Sequence, residues 1–246
     1  MAELPLLEEA WLLLEDDLIA DYGLMQQQDL PNADRTIDCT GRFVLPTWCD
    51  SHSHLVYAGN REGEFIDRLN GLSYQEIAAR GGGILNSAAR LQQTSQHDLM
   101  EQSKERLKEV MRLGTGALEI KSGYGLSLDS EMKMLRVARQ LGDTHPISVK
   151  TTFLGAHAIP AGFDHGDAYV GHVIEDILPA VNREGLADFI DIFCEEGYFS
   201  VSHLERIIQA GNAYGLPAKV HVNQFNAIGG ISAAVRNNAL TVDHLE

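Results

Sequence analysis

The sequence predicts an α/β fold, a parallel sheet assembled from consecutive βα units behind a small N-terminal β-rich segment. Three observations carry this expectation. From Pro46 onward short apolar runs alternate with longer amphipathic stretches, the amphipathic stretches carry helix-capping residues, and each apolar run ends in a polar or ionisable side chain.

The N-terminal part reads as hairpin and meander. Trp11-Leu-Leu-Leu14 is followed by Asp16-Asp17, then by Leu18-Ile-Ala20 and Gly23, a pattern of short apolar runs broken by turn residues. A second strand-like run covers residues 36–40, then Gly41 precedes Arg42-Phe-Val-Leu45, which stops at Pro46. The expected division is a β-rich segment over residues 1–45 and a βα region over 46–246. In the latter, strands are expected at 43–50, 117–121, 147–154, 189–194, 218–222 and 240–242. Ser95-Gln-His-Asp98 is expected to cap a helix running to Gly114, Ser202-His-Leu-Glu205 one ending near Gly215, and Gly142 to close another. Met132 and Met134 read as helix packing, and Gly81-Gly-Gly83, with no Lys-Ser/Thr after it, as a loop rather than a phosphate cradle.

Composition narrows the function classes. The 246 residues are 44% hydrophobic, enough to bury a large core. Against 35 acidic side chains stand 19 Lys and Arg, a formal charge of −16 that repels phosphate backbones and anionic membrane surfaces. Nucleic acid and membrane are therefore not the expected partners; a small molecule is, with a homodimer open. An anionic ligand would need a local cation, which makes single arginines informative. The cysteines, Cys39, Cys49 and Cys194, are odd in number and lack zinc-finger spacing, so they read as reduced and mostly buried thiols. Glu3, Glu8 and Glu9 stand where a signal peptide would be basic, and no apolar run approaches the roughly 20 residues of a membrane span, so a cytoplasmic location is expected.

Asp50-Ser-His52-Ser-His54 is the strongest local signal. Residues i and i+2 of an extended chain project to one side, so both imidazoles can converge on one metal ion. Two hydrogen-bonded loop histidines are the plain alternative. His221, in Lys219-Val-His-Val-Asn-Gln224, ends the fifth expected strand and would add a third nitrogen. Alone it would be a core histidine; with the pair it completes a three-histidine face suited to zinc or iron, the setting of metal-assisted hydrolysis.

Beyond these residues the chain resembles the imidazolonepropionase family of metal-dependent amidohydrolases. The likeness rests on Thr36-Ile-Asp-Cys-Thr-Gly-Arg-Phe-Val-Leu-Pro46 running into the histidine pair, then on Tyr74-Gln-Glu-Ile-Ala-Ala-Arg-Gly-Gly-Gly-Ile84, Glu119-Ile-Lys-Ser-Gly-Tyr-Gly-Leu126, Thr151-Thr-Phe-Leu-Gly-Ala-His-Ala158 and Val242-Asp-His-Leu-Glu246. It implies a TIM-like amidohydrolase barrel, here with six of eight strands, flanked by part of a small β-sandwich. It implies hydrolytic opening of 4-imidazolone-5-propanoate to N-formimidoyl-L-glutamate in histidine degradation, with one zinc or iron ion as cofactor. By the same resemblance His52, His54 and His221 are metal ligands, Arg61, Tyr124, His157 and Gln224 bind substrate, and His244 polarises the scissile carbonyl or orients the attacking water.

A guanidinium at Arg61 suits a propionate, because its fork can grip a carboxylate through two parallel hydrogen bonds. Gln224 can donate and accept hydrogen bonds but cannot shuttle a proton. Lys121 does not lie on the strand where binuclear relatives place a bridging lysine; Cys194, Glu195 and Glu196 stand there instead, so a single ion is expected. The family continues through two further strands to a metal-ligating Asp, which implies a longer natural polypeptide or one that has lost that part and binds metal weakly. Rival readings are a hydantoinase-like enzyme, a purine or pyrimidine deaminase, and a non-catalytic metal-binding descendant. Gln224 in place of an acid argues against the deaminase, and the set Arg61, Tyr124 and His157 against the others.

Overall fold

The computed structural model describes residues 5–26, 30–73, 76, 77, 80 and 82–245. The chain divides into two compact units, Met1–Pro46 and Thr47–Glu246.

In the first unit strands β1 (Ala10–Glu15) and β2 (Leu18–Leu24) pair antiparallel, from Ala10 opposite Leu24 to Glu15 opposite Leu18. Asp16 and Asp17 make the two-residue turn, with Asp16 at φ +53°, a left-handed conformation that Asp tolerates. The strand expected over residues 36–40 does not form. Asp38 Oδ1 instead accepts the backbone N–H and the hydroxyl of Thr40, 2.9 and 2.6 Å away, and this local turn competes with sheet pairing. No described residue of this unit is buried.

The second unit holds a six-stranded parallel sheet, in spatial order β3 (Trp48–Ser53), β4 (Thr115–Lys121), β5 (Ser148–Ala156), β6 (Phe189–Cys194), β7 (Lys219–Val222) and β8 (Thr241–His244). Because the order never reverses, successive crossovers of one hand lay the helices on one face and the sheet curls as in a TIM-like barrel. All six strands were expected, with shifted ends. The largest shift is in β3, which starts at Trp48 rather than Phe43, since Pro46 has no N–H for a ladder and Phe43, Val44 and Leu45 remain exposed.

Helices α1 (Glu62–Leu69), α2 (Gly83–Gln93) and α3 (Gln96–Arg112) follow β3, α4 (Leu128–Thr144) follows β4, and α5 (Gly166–His172) and α6 (Leu178–Arg183) follow β5. A π turn, Val173–Ile177, joins α5 to α6 where Pro179, lacking an N–H, interrupts the regular ladder. Helices α7 (Val201–Ala213) and α8 (Gly230–Arg236) follow β6 and β7. Ser95 caps α3 as expected, accepting the N–H of Asp98. Two expectations need correction. Ser200, not Ser202, caps α7, and His203 completes its capping box by accepting the N–H of Ser200. Gly142 lies inside α4, where a Cβ would come within 2.9 Å of Val149 Cβ; it permits close helix–strand packing rather than ending the helix.

Alternation along the strands sorts the side chains. Leu118, Ile120, Phe153, Ile190, Ile192, Val220 and Val222 belong to the apolar cores, as do Met132 and Met134. The opposite positions hold Glu119, Lys121, Thr152, Asp191, Lys219 and His221, all buried.

Candidate metal centre and binding cavity

His52 is the penultimate residue of β3 and His54 follows the strand. His221 stands in β7, paired with Phe193 of β6 across the ladder. These strand ends bring the three rings together: the centroids of His52 and His221 lie 4.5 Å apart, and those of His54 and His221 5.5 Å. One ring nitrogen from each lies within 4.8 Å of the others.

Two carboxylates fix which nitrogens face inward. Asp191 Oδ2 accepts from His221 Nδ1 at 2.7 Å, and Asp243 Oδ2 from His52 Nδ1 at 3.0 Å. Each ring therefore carries its proton on Nδ1 and turns the Nε2 lone pair inward, the arrangement that orients metal-ligating histidines. Burial would raise both acids, but His221 and Lys121 pull Asp191 well below the usual carboxylate range, and the His52 hydrogen bond with the Lys121 charge holds Asp243 at about 2. Burial, then His157 and His221, depress His54 far below an ordinary imidazole.

The residues fit a metal ion. His54 Nε2 and His221 Nε2 lie 3.4 Å apart, close to the ~3.4 Å separating two nitrogens each about 2.0–2.1 Å from a tetrahedral ion.

Around this centre lies a cavity of about 160 Å³. All of the side chains named from the sequence line it: His52, His54, Arg61, Tyr124, His157, His221, Gln224 and His244. Ile84, Phe193 and Phe225 add apolar wall that sequence reasoning did not single out. Arg61 Nε donates to Ser87 Oγ at 2.9 Å and its guanidinium carbon sits 5.3 Å from the centre of the Tyr124 ring. Its Nη2 is buried without a hydrogen-bond partner among the described residues, an unspent charged donor.

His157 is buried and donates Nδ1–H to the carbonyl of Gly123 at 3.0 Å, leaving Nε2 as an acceptor; burial and His221 lower its pKa to about 3, so it is neutral. Its ring stacks on His54 at 5.4 Å. Tyr124 rides on the loop of residues 122–126, whose N–H groups at Gly123, Gly125 and Leu126 all donate to the buried carboxylate of Glu131. Gln224 follows Asn223, which takes φ +54°, and the turn is held by Glu195 accepting the N–H of Phe225. His244 adopts φ +77° at the end of β8, with its ring 5.1 Å from His52 and 5.0 Å from His221.

Asp191 and Asp243 were the residues sequence reasoning missed. An Asp within the apolar run Phe-Ile-Asp-Ile-Phe was the available signal for the first; nothing local distinguishes the second. Of the three cysteines expected to be mostly buried, Cys39 and Cys49 are exposed; Cys194, buried beside Glu195, has its thiol pushed up to about 11 and is an inert core group.

No family model matches the chain. Curated relatives do. It is 60% identical over 247 residues to the imidazolonepropionase of Christiangramia forsetii, covering 100% of this chain and 60% of the relative. It is 46% identical to that of Paraburkholderia phymatum, covering 96% and 56%, and 42% identical to that of Acinetobacter baumannii, covering 98% and 60%. The chain thus spans about 60% of the length of the curated relatives it matches. Among solved structures, 5-methylcytosine deaminase from Klebsiella pneumoniae aligns with a TM-score of 0.68 at 16% identity, over 92% of this chain and 51% of that one. A Zn-bound amidohydrolase from Burkhoderia ambifaria aligns with a TM-score of 0.54 at 17% identity, over 81% and 58%. At such identities these likenesses speak for the fold, that of the amidohydrolases.

Proposed function

We propose that this chain, a homologue of the imidazolonepropionases along its whole length, carries the metal centre and acid-binding pocket of a hydrolase that opens the ring of 4-imidazolone-5-propanoate to N-formimidoyl-L-glutamate. The observation that carries the reading is one cavity lined by the three grouped imidazoles and by Arg61, whose Nη2 is buried without a hydrogen-bond partner among the described residues.

His52, His54 and His221 would hold one ion, zinc or iron. Bound there, it would act as a Lewis acid on a carbonyl and lower the pKa of water toward neutrality. The protein's own groups do the rest. Arg61 receives the propionate through two parallel hydrogen bonds, and Tyr124, stacked beneath the guanidinium, fixes its direction. Neutral His157 accepts a ring N–H at Nε2, and Gln224 donates to or accepts from the ring's opposite edge. His244 orients the attacking water toward the ring carbonyl. The water's oxygen ends in the new carboxylate, the carbonyl carbon–nitrogen bond breaks, and the departing nitrogen takes a proton within the formimidoyl group.

The test uses the 246-residue chain and its variants, with bound zinc and iron quantified and loss of imidazolone propionate followed by absorbance. Turnover that vanishes together with bound metal in His221→Ala supports the reading. A metal-loaded, folded protein without turnover points to another cyclic amide, and a chain that binds no metal overturns it.

A further inference from the structure

Lys121 is the buried charge that this chemistry leaves unused. At the end of β4, its side chain is wholly out of solvent. Its ammonium lies 2.8 Å from Glu119 Oε1, 3.0 Å from Asp191 Oδ2 and 3.1 Å from Asp243 Oδ2. The ammonium donates a hydrogen bond to Asp191 Oδ2 and is ion-paired with Glu119 and Asp243. Two of those oxygens also receive a histidine proton, Asp191 Oδ2 from His221 and Asp243 Oδ2 from His52. One cation is thus shared by both carboxylates that set the tautomers of candidate ligands on β3 and β7. Glu119, in turn, is tied by Lys219 and Thr152, which anchors the network to the sheet on the far side.

We infer that Lys121 is a positioning residue for the metal centre, clamping Asp191 and Asp243 so that His52 and His221 aim Nε2 at a common point. The inference rests on the metal-centre reading above. Without the cation, the buried carboxylate of Asp191 and the part-buried one of Asp243 repel each other, and Asp243, the more exposed of the pair, is the one free to swing away from His52. The same geometry argues against a carbamate bridge between two ions. A carbamate needs an amine lone pair, and here three carboxylates within 3.1 Å favour the ammonium form; burial pushes the lysine down, yet Asp191, Glu119 and Asp243 hold it above its ordinary value.

Zinc affinity, measured by competition with a chromophoric chelator, and the visible spectrum of the cobalt-loaded chain test this in wild type, Lys121→Met and the double variant Lys121→Met/Glu119→Gln. Removing the ammonium alone takes the shared counter-charge from three clustered carboxylates, a costly change, so the double variant carries the test if the single one does not fold. Circular-dichroism melts of the apoproteins establish folding. The expected result is one ion per wild-type chain with bicarbonate present, an affinity lowered about 10- to 100-fold in the variants, and displaced cobalt bands. A folded variant with wild-type affinity and an unchanged cobalt spectrum overturns the inference while leaving the metal centre standing. Two ions per wild-type chain, dependent on bicarbonate, overturn it in favour of the carbamate. A wild-type chain that binds no zinc takes down the metal centre as well.

Discussion

At the scale of single residues, the decisive feature is Arg61, which lines the cavity and holds a buried guanidinium nitrogen without a hydrogen-bond partner among the described residues. A buried guanidinium nitrogen with no acceptor is expensive, and a ligand carboxylate removes that cost on binding. Arg61→Ala is therefore expected to raise KM for a propionate-bearing substrate by roughly 10-fold or more, as the loss of charge-assisted hydrogen bonds worth about 1.5–3 kcal/mol, with kcat little changed. Arg61→Lys should recover only part of this, because a point charge cannot reproduce the planar fork. Steady-state kinetics on both variants checks the split; a fall in kcat at constant KM would remove Arg61 from the binding role.

At the scale of elements, two buried contacts set how precisely the pieces meet. Glu131 of α4 collects three backbone N–H groups of the loop carrying Tyr124, and Leu126 in that loop takes φ +54°. Replacing it by Ala leaves three buried donors unmet at about 1–3 kcal/mol each, so Glu131→Ala should lower stability by at least about 3 kcal/mol in urea denaturation and raise KM as Tyr124 loosens. In α7, Gly211 packs so closely on β6 that a Cβ would come 2.4 Å from Ile190 Cγ2. Gly→Ala in a helix favours folding by up to about 1 kcal/mol, but overpacking a stiff β-branched side chain costs about 1–3 kcal/mol. Gly211→Ala is therefore expected to lower the denaturation midpoint, and an unchanged or higher midpoint would mean that β6 yields.

At the scale of the whole molecule, edge strands and charge oppose each other. β3 and β8 end the sheet, and Trp48, Val235 and Leu240 beside them are 64%, 68% and 59% exposed. In the 246-residue chain such edges invite pairing between copies, while its formal charge of −16 keeps the copies apart. Salt shortens the Debye length from about 30 Å at 0.01 M to about 3 Å at 1 M, so association should rise with ionic strength. Sedimentation velocity across that range checks this; a monomer throughout would show that the edges do not pair. Among the described residues no helix is long and apolar enough to cross a membrane.

The sequence by itself determined the kind, order and number of the βα units and the residues at the strand ends, because periodicity, capping and an i, i+2 histidine pair are local properties of a chain. It did not show where β3 begins, since only the sheet decides which side of Pro46 can pair, nor that Asp38 would fold residues 36–40 into a turn. It was silent on Asp243 meeting His52 across 191 positions, on Asp191 meeting His221 across 30, and on Lys121 meeting Asp191 across 70. Those pairings depend on which strands are neighbours and on their register. Asp191 and Asp243 are held by partners from other strands that supply a proton or a counter-charge, and those partners are in place only once the sheet has formed.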